Sequence, residues 1–154
     1  MRVFISYGNT ADQATALRLQ ALGAVNGLTV YVPPAFTRQG IPSSVDSESL
    51  NALADAEVVL GVIGATFAEA CRLELNTAKN LRKHLIVMAS PQSAPLLQQY
   101  FPSNVVVIDP VNPEQTEREI VQHLKAVDRE KNAQTALLAL GTLAFGLLMF
   151  ASAE

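Results

Sequence analysis

Short runs of consecutive apolar residues recur along the chain, and segments with helical spacing of apolar residues separate them. Runs rich in Val, Ile and Leu are typical of strands that are buried on both faces of a parallel sheet. The pattern predicts five such strands, at 2–6, 28–32, 58–63, 85–89 and 105–109. The third run is almost entirely apolar, which is the pattern of a central strand.

Helices are predicted between these strands. Thr10 or Asp12 is expected to cap the first helix and Gly27 to end it, while Thr66 is expected to cap the helix that carries Glu74. Pro113 is well placed to begin the last helix. The apolar stripe expected on the first helix consists of Ala14, Leu17, Leu19, Leu22 and Val25. The other helical segments are 46–54, with Leu50 and Leu53 directed inward, and 93–100.

Strands that alternate with helices predict an α/β fold, here a flavodoxin-like doubly wound sheet of five parallel strands followed by one C-terminal hydrophobic helix. We expect one domain at 1–127, a charged linker at 128–135 and the hydrophobic helix at 136–153. Ligands of open α/β sheets bind beyond the carboxyl ends of the strands. Candidate functional residues are therefore sought at that edge.

The segment 136–153 contains no charged residue. A helix needs about 20 apolar residues to span a bilayer, with about 17 as the lower limit. Lys125, Arg129 and Lys131 precede the segment and only Glu154 follows it. The positive-inside rule then predicts a single-pass helix in the cell inner membrane with the N-terminal domain in the cytoplasm. The alternative is a hydrophobic helix that docks on a partner or self-associates in water.

Composition excludes several classes of function. The net charge is -3 and Trp is absent, so neither a basic footprint nor a dedicated stacking surface indicates nucleic-acid binding. Cys71 is the single cysteine, which excludes an internal disulfide and a cysteine-only metal cluster. His84 and His123 lack the spacing of metal ligands, and we expect no metal site.

Familiar α/β motifs are missing. The sequence has no GxxxxGK[ST] phosphate loop, no GxGxxG after the first strand and no GxSxG elbow. A phospho-receiver domain would carry acidic residues after the first strand and an aspartate at the end of the third. Here residues 6–9 are Ser-Tyr-Gly-Asn and residues 61–64 are Gly-Val-Ile-Gly. These residues therefore exclude a phospho-receiver domain.

Five segments together resemble the Toll/interleukin-receptor (TIR) family over about the first 125 residues. One of them is Asp12 followed by Ala16 and Leu17, which is similar to the first-helix pattern of that family. Phe-Ile-Ser-Tyr at 4–7 is similar to the opening strand of that family, and Gly-Leu-Thr-Val-Tyr at 27–31 is similar to its second strand. The Pro- and Gly-containing loop 33–44 lies where the family carries its BB loop. Cys-Arg-Leu-Glu-Leu at 71–75 resembles the WCxxEL helix motif, with Ala70 in the Trp position.

The resemblance implies that Glu74 is the catalytic residue of a domain that cleaves NAD at the nicotinamide–ribose bond. Breaking an N-glycosidic bond builds positive charge on the ribose, and a carboxylate beside the ribose stabilises that charge. Nicotinamide leaves as a neutral base, so one carboxylate in a shaped pocket can suffice. The alternative for Glu74 is an ordinary surface carboxylate on an exposed helix face.

The same resemblance implies a substrate pocket. Its expected residues are Ser6, Tyr7, Gly8, Asn9, Phe36, Arg38, Thr66, Phe67 and Cys71. Phe36 is expected to stack on adenine and Arg38 to pair with phosphate. Cys71 fits a buried packing thiol better than a nucleophile, because no His partner lies near it in sequence. NAD is expected as a substrate, with no cofactor, and self-association of the domain is expected to control activity.

The leading hypothesis is a membrane-anchored TIR effector of bacterial antiphage immunity or signalling that hydrolyses or cyclises NAD when assembled. A second hypothesis is a non-enzymatic assembly module whose transmembrane helix disrupts the membrane. A third keeps N-glycosidic chemistry with another substrate, since flavodoxin-like nucleoside deoxyribosyltransferases also use a pocket glutamate. Two departures from the family pattern, Ala70 in place of Trp and a first loop without a basic residue, favour a different substrate or a domain that only binds.

Overall fold

A computed structural model describes residues 1–40 and 42–129. Five parallel strands form one sheet in the order β2-β1-β3-β4-β5. The strands are β1 (Arg2–Tyr7), β2 (Thr29–Tyr31), β3 (Val58–Ile63), β4 (His84–Ala89) and β5 (Val105–Val107). This is the flavodoxin-like order, and the predicted fold class is confirmed for this part of the chain.

The described residues also form five α-helices and one 3-10 helix, of which all but the helix after β5 connect strands. They are α1 (Thr10–Val25), the 3-10 helix Ala35–Arg38, α2 (Ser47–Asp55), α3 (Glu69–Asn80), α4 (Ala94–Tyr100) and α5 (Pro113–Asp128). No helix in the described part of the chain is long and apolar enough to cross a bilayer. The predicted membrane helix at 136–153, and the predicted linker from residue 130 onward, lie outside the described residues.

The core consists of two apolar layers, one on each face of the sheet. Side chains from α1 and α5 pack in one layer and side chains from α2, α3 and α4 pack in the other. Successive side chains of β1 alternate between the layers, because a strand has a period of two. Ile5 and Tyr7 belong to the first layer and Phe4 to the second. Ser6 shares the face of Phe4, so its hydroxyl is directed toward α3.

The central strands agree closely with the predicted runs, whereas the two edge strands are shorter than predicted. β3 is buried along its whole length between β1 and β4. β2 and β5 contain three residues each, where the sequence predicts 28–32 and 105–109. Each edge strand pairs with one neighbour only, so its outer residues lack a second set of ladder hydrogen bonds.

Predicted helix caps need two corrections. Asn9, and neither Thr10 nor Asp12, caps α1, since its side chain accepts a hydrogen bond from the Asp12 backbone N–H at 3.0 Å. The helix that carries Glu74 begins at Glu69 after Ala68, which makes no side-chain cap. Thr66 therefore precedes this helix and does not cap it.

The predicted apolar stripe of α1 is partly wrong. Leu19 is buried, but Leu17 is 46% exposed and Val25 is 85% exposed. Gly23 is buried instead, because β2 packs closely there: a Cβ on Gly23 would lie 2.8 Å from a Val30 methyl group. In α2, Leu53 is buried as predicted, and Leu50 is 43% exposed.

Candidate functional site

Glu74 lies in the second turn of α3 and is only 2% exposed. Both of its carboxylate oxygens accept hydrogen bonds. The Ser6 hydroxyl donates to Oε1 at 2.7 Å, and Arg38 donates from Nη1 to Oε2 at 2.9 Å and from Nη2 to Oε1 at 2.5 Å. Glu74 is therefore the centre of a buried polar cluster, and the surface-carboxylate alternative is wrong.

The α3 side of this cluster follows from helical spacing. Cys71 precedes Glu74 by three residues and lies on the same face of α3. The Cys71 Sγ is 3.2 Å from the Ser6 Oγ. Because a hydroxyl has one proton and Ser6 donates it to Glu74, the Cys71 thiol can donate to the Ser6 oxygen. The two side chains together hold one oxygen of Glu74 in place.

The Cys71 thiol stays protonated at neutral pH. Burial raises the pKa of Cys71 to about 12, although the neighbouring Ser6 hydroxyl opposes the rise. The thiolate is the nucleophilic form of cysteine, and it is absent at physiological pH with such a pKa. Cys71 therefore packs and orients Ser6, and it has no nucleophilic role in this arrangement.

Arg38 reaches Glu74 from the long connection between β2 and α2. The 3-10 helix Ala35–Arg38 folds the chain back over the carboxyl end of β1, and the Arg38 side chain is only 6% exposed. Its guanidinium carbon lies 4.5 Å from the centre of the Tyr7 ring. Arg38 Nη1 also lies 3.1 Å from the Thr37 hydroxyl, and Arg38 Nε is buried without a hydrogen-bond partner.

Tyr7 holds the beginning of the connection between β2 and α2. Its hydroxyl donates to the Pro33 carbonyl at 2.7 Å. Burial raises the pKa of Tyr7 above its ordinary value of 10.0, so the phenol keeps the proton that it donates. Tyr7 thus supports the connection at Pro33 and, through its ring, at Arg38. Since Ser6 and Tyr7 point to opposite faces of β1, Arg38 crosses the end of this strand from one face to the other.

The charge of Glu74 depends on Arg38. Burial raises the pKa of Glu74 above its ordinary value of 4.5, and the hydrogen bonds and positive charge of Arg38 oppose this rise. Ser6 opposes it as well, while the charge of Asp46 adds to it. A buried carboxylate without these partners would be far more costly to ionise. The guanidinium is therefore the main group that keeps Glu74 ionised in this closed arrangement.

A second buried carboxylate, Asp12, joins the loops that follow β1 and β3. Its Oδ1 accepts a hydrogen bond from the Gly64 backbone N–H at 3.0 Å, and its Oδ2 is buried without a partner. Burial raises the pKa of Asp12, and the backbone N–H groups of Gly64, Asn9 and Gly8 oppose the rise. The strand order reverses between β1 and β3, and Asp12 therefore lies at the usual ligand crevice of such sheets.

The sequence-predicted site residues separate into two groups. Those that lie around Glu74 are Ser6, Tyr7, Arg38 and Cys71. Gly8 lies where the β1 and β3 loops meet, since a Cβ there would be 3.3 Å from the Thr66 carbonyl oxygen. Asn9 serves as the cap of α1. Phe36 is 68% exposed, and Phe67 packs edge-on against Tyr100 and Phe101 of the α4 region.

Sequence reasoning missed two further hydroxyl groups of this region. Tyr31 of β2 stacks on Phe4 with 5.5 Å between ring centres, and its buried hydroxyl completes no hydrogen bond. The Ser49 hydroxyl of α2 is also buried without a partner. Burial raises the pKa of Tyr31, and the charges of Glu48, Asp46 and Glu74 add to the rise. The alternation of side chains along a strand predicts that Tyr31 packs in the core, but it does not predict the surroundings of the Tyr31 hydroxyl.

For Asp12, the sequence predicts only a candidate cap of the first helix. A capping role explains an acidic residue at a helix start and does not predict its burial. Within residues 1–40 and 42–129, no group of three or more His, Cys, Asp or Glu side chains is arranged to hold a metal ion.

No protein-family model matches the chain, and no curated protein matches it significantly. The described residues define an α/β domain of flavodoxin-like strand order with a buried carboxylate at the carboxyl edge of its sheet. Folds of this kind host many activities, and a function must be argued from the side chains of the site.

Proposed function

We propose that this chain is a TIR-type enzyme that cleaves NAD at the nicotinamide–ribose bond, with Glu74 as its catalytic residue. The observation that carries the proposal is the buried Glu74 carboxylate, which Ser6 and Arg38 hold at the carboxyl edge of the sheet. The motif around it, Cys-Arg-Leu-Glu-Leu at 71–75, supports the same proposal by its resemblance to the TIR helix motif.

The chemistry requires little beyond a positioned negative charge. The bond between the ribose carbon and the nicotinamide nitrogen breaks, and its electron pair stays on nicotinamide, which leaves as a neutral molecule. The ribose develops oxocarbenium character, which an adjacent carboxylate stabilises more strongly than it stabilises the ground state. Water then adds to the ribose carbon and releases a proton, or an adenine nitrogen adds and gives a cyclic product.

Substrate access requires a change in the closed arrangement. Both Glu74 oxygens bond to Arg38, and Glu74 has almost no exposed surface. A ribose can approach the carboxylate only after the Arg38 guanidinium releases Glu74 and the 3-10 helix shifts. Ser6 belongs to β1 and remains in place, so that Glu74 keeps one of its hydrogen bonds when the connection opens.

The decisive experiment measures nicotinamide release from NAD by the full chain in detergent at low and high protein concentration. Glu74→Gln preserves the side-chain shape, and we expect it to lower the rate by about 10²-fold or more, as for removal of an electrostatic stabiliser. Glu69→Gln is the matched control, because Glu69 lies on the same helix and pairs with Arg72. Equal rates for the two variants would refute the assignment of Glu74.

A second candidate function is a non-enzymatic assembly module. The bidentate Arg38–Glu74 pair favours it, since such a pair can simply fix the connection after β2 to the rest of the domain. In that case the segment 136–153 is the proposed membrane effector, and self-association of the domain is its trigger. Membrane damage that survives Glu74→Gln but disappears on deletion of 136–153 would support this candidate over the enzyme.

A further inference from the structure

We propose that Arg38 is an anion sensor: a phosphate or diphosphate group captures its guanidinium from Glu74, and this exchange of partners uncovers the carboxylate. The inference rests on the proposed function, because NAD, the proposed substrate, contains a diphosphate that joins two nucleosides. It concerns a step that precedes any bond breaking. Its direct consequence is that the anion and the Glu74 carboxylate compete for one cation.

The donor geometry of Arg38 supports the exchange. A guanidinium presents five N–H donors in a rigid fork that matches carboxylate and phosphate groups equally well. Glu74 uses the two terminal nitrogens, and Nε remains buried without a partner. A carboxylate offers two oxygens, whereas a terminal phosphate offers three. A phosphate can therefore accept hydrogen bonds from Nε and from a terminal nitrogen, whereas the pair with Glu74 leaves Nε without an acceptor.

The surroundings of Arg38 allow a change of partner while the guanidinium stays on the Tyr7 ring. The Tyr7 ring lies under the guanidinium, and Tyr7 belongs to the rigid end of β1. Cation–π contact is retained whichever anion the guanidinium bonds to. The Tyr7 hydroxyl also holds the Pro33 carbonyl, so that the connection stays attached at its beginning while the following turn moves. Arg38 can thus remain near the carboxyl edge of β1.

Glu74 is also prepared for the exchange. Its Oε1 keeps the hydrogen bond from Ser6 at 2.7 Å after Arg38 leaves. The Glu74 carboxylate and a bound anion repel each other, so the guanidinium binds one of them at the expense of the other. Removal of the Glu74 charge should therefore strengthen anion binding, while removal of Arg38 should abolish it. These opposite directions distinguish the exchange from nonspecific attraction to a basic residue.

The test is calorimetric titration of the full chain in detergent with inorganic pyrophosphate. We expect Glu74→Gln to bind pyrophosphate several-fold more tightly than the wild type, and Arg38→Gln to bind at least about tenfold more weakly, as for loss of charge-assisted hydrogen bonds. The matched control is Arg18→Gln, which removes an arginine from its pair with Glu117 and should leave the affinity unchanged.

A second readout follows the connection itself. Hydrogen exchange of the backbone amides at 35–40 should accelerate when pyrophosphate is added to the wild type. The double variant Arg38→Gln/Glu74→Gln has no unpaired buried charge; it should fold and show neither pyrophosphate binding nor this acceleration. Circular dichroism confirms the folded state of each variant.

Equal pyrophosphate affinity in the wild type and Glu74→Gln, or undiminished binding by Arg38→Gln, would overturn the exchange. Pyrophosphate binding with unchanged hydrogen exchange at 35–40 would overturn the opening of the site. Nicotinamide release is scored separately. Glu74-dependent cleavage without anion exchange would refute the sensor alone, and anion exchange without cleavage would refute the enzyme alone.

Discussion

Replacing Arg38 with Ala should leave Glu74 as a buried carboxylate without a counter-charge. The substitution removes both hydrogen bonds to Glu74 and the contact with the Tyr7 ring. The two side chains are 6% and 2% exposed, so solvent cannot replace the guanidinium unless the structure opens. Removing one partner of a buried ion pair costs about 3–5 kcal/mol of unfolding free energy. We expect Arg38→Ala to lose this amount at neutral pH.

The loss of unfolding free energy should depend on pH, and the direction of this dependence follows from the pKa of Glu74. Burial already raises that pKa above 4.5, and the absence of Arg38 would raise it further. Between the ordinary and the raised pKa, the native state binds more protons than the unfolded state, so stability falls as pH rises, by at most about 1.4 kcal/mol per pH unit. Arg38→Ala should therefore lose less stability relative to the wild type at pH about 4 than at pH about 7.

Urea unfolding of the wild type, Arg38→Ala, Glu74→Gln and Arg38→Ala/Glu74→Gln across this pH range measures the effect. The double variant should be more stable than Arg38→Ala at neutral pH, because it has no buried charge. Arg18→Ala is the control, since the Arg18 side chain is 51% exposed and its pair with Glu117 should contribute about 1 kcal/mol or less. A pH-independent loss, or a double variant as unstable as the sum of the single ones, would refute the reasoning.

Three further predictions concern the groups around this pair. Ser6→Ala removes the neutral donor to Glu74 and should cost about 1–3 kcal/mol in urea unfolding; an unchanged stability would show that the bond is unimportant. Asp12→Ala leaves the Gly64 N–H unpaired and should cost a similar amount, about 1–3 kcal/mol. Because burial raises the pKa of Asp12 above 3.8, its contribution to stability falls as pH rises through that raised pKa, and Asp12→Asn should remove this part of the pH dependence. Cys71 should react with a thiol reagent at pH 8 only after unfolding in urea, and rapid modification of the native chain would contradict its burial.

The sheet was predictable from the sequence because its signal is local. Val58–Ile63 and its neighbours are apolar runs that satisfy burial on both faces, and their strands lie where the pattern predicts them. The helical faces were less predictable. α1 has apolar residues on several sides, so that spacing alone does not decide which of them faces the sheet, and Leu17 and Val25 are exposed.

The candidate site was predictable only in part, because its contacts are distant in sequence. Ser6 and Glu74 are 68 residues apart, and Arg38 and Glu74 are 36 residues apart. Resemblance to TIR motifs selected these three residues individually, but no pattern in one sequence indicates that Arg38 bonds to Glu74. The unpaired oxygen of Asp12 and the hydroxyl of Tyr31 likewise arise from tertiary packing.

The Arg38–Glu74 pair admits a structural role and a functional role, and one double substitution separates them. A buried ion pair that only stabilises a fold can be replaced by apolar side chains of similar size with little loss, and often with a gain of about 1–4 kcal/mol. Arg38→Met/Glu74→Leu should therefore keep the fold and its unfolding free energy under either role. Under the functional role it should lose both pyrophosphate binding and nicotinamide release, because no apolar side chain can hold an anion or stabilise a positively charged ribose. If the double variant is stable and keeps both properties, the pair is only a structural connection between the Arg38 turn and α3, and the chemistry must be sought elsewhere in the chain.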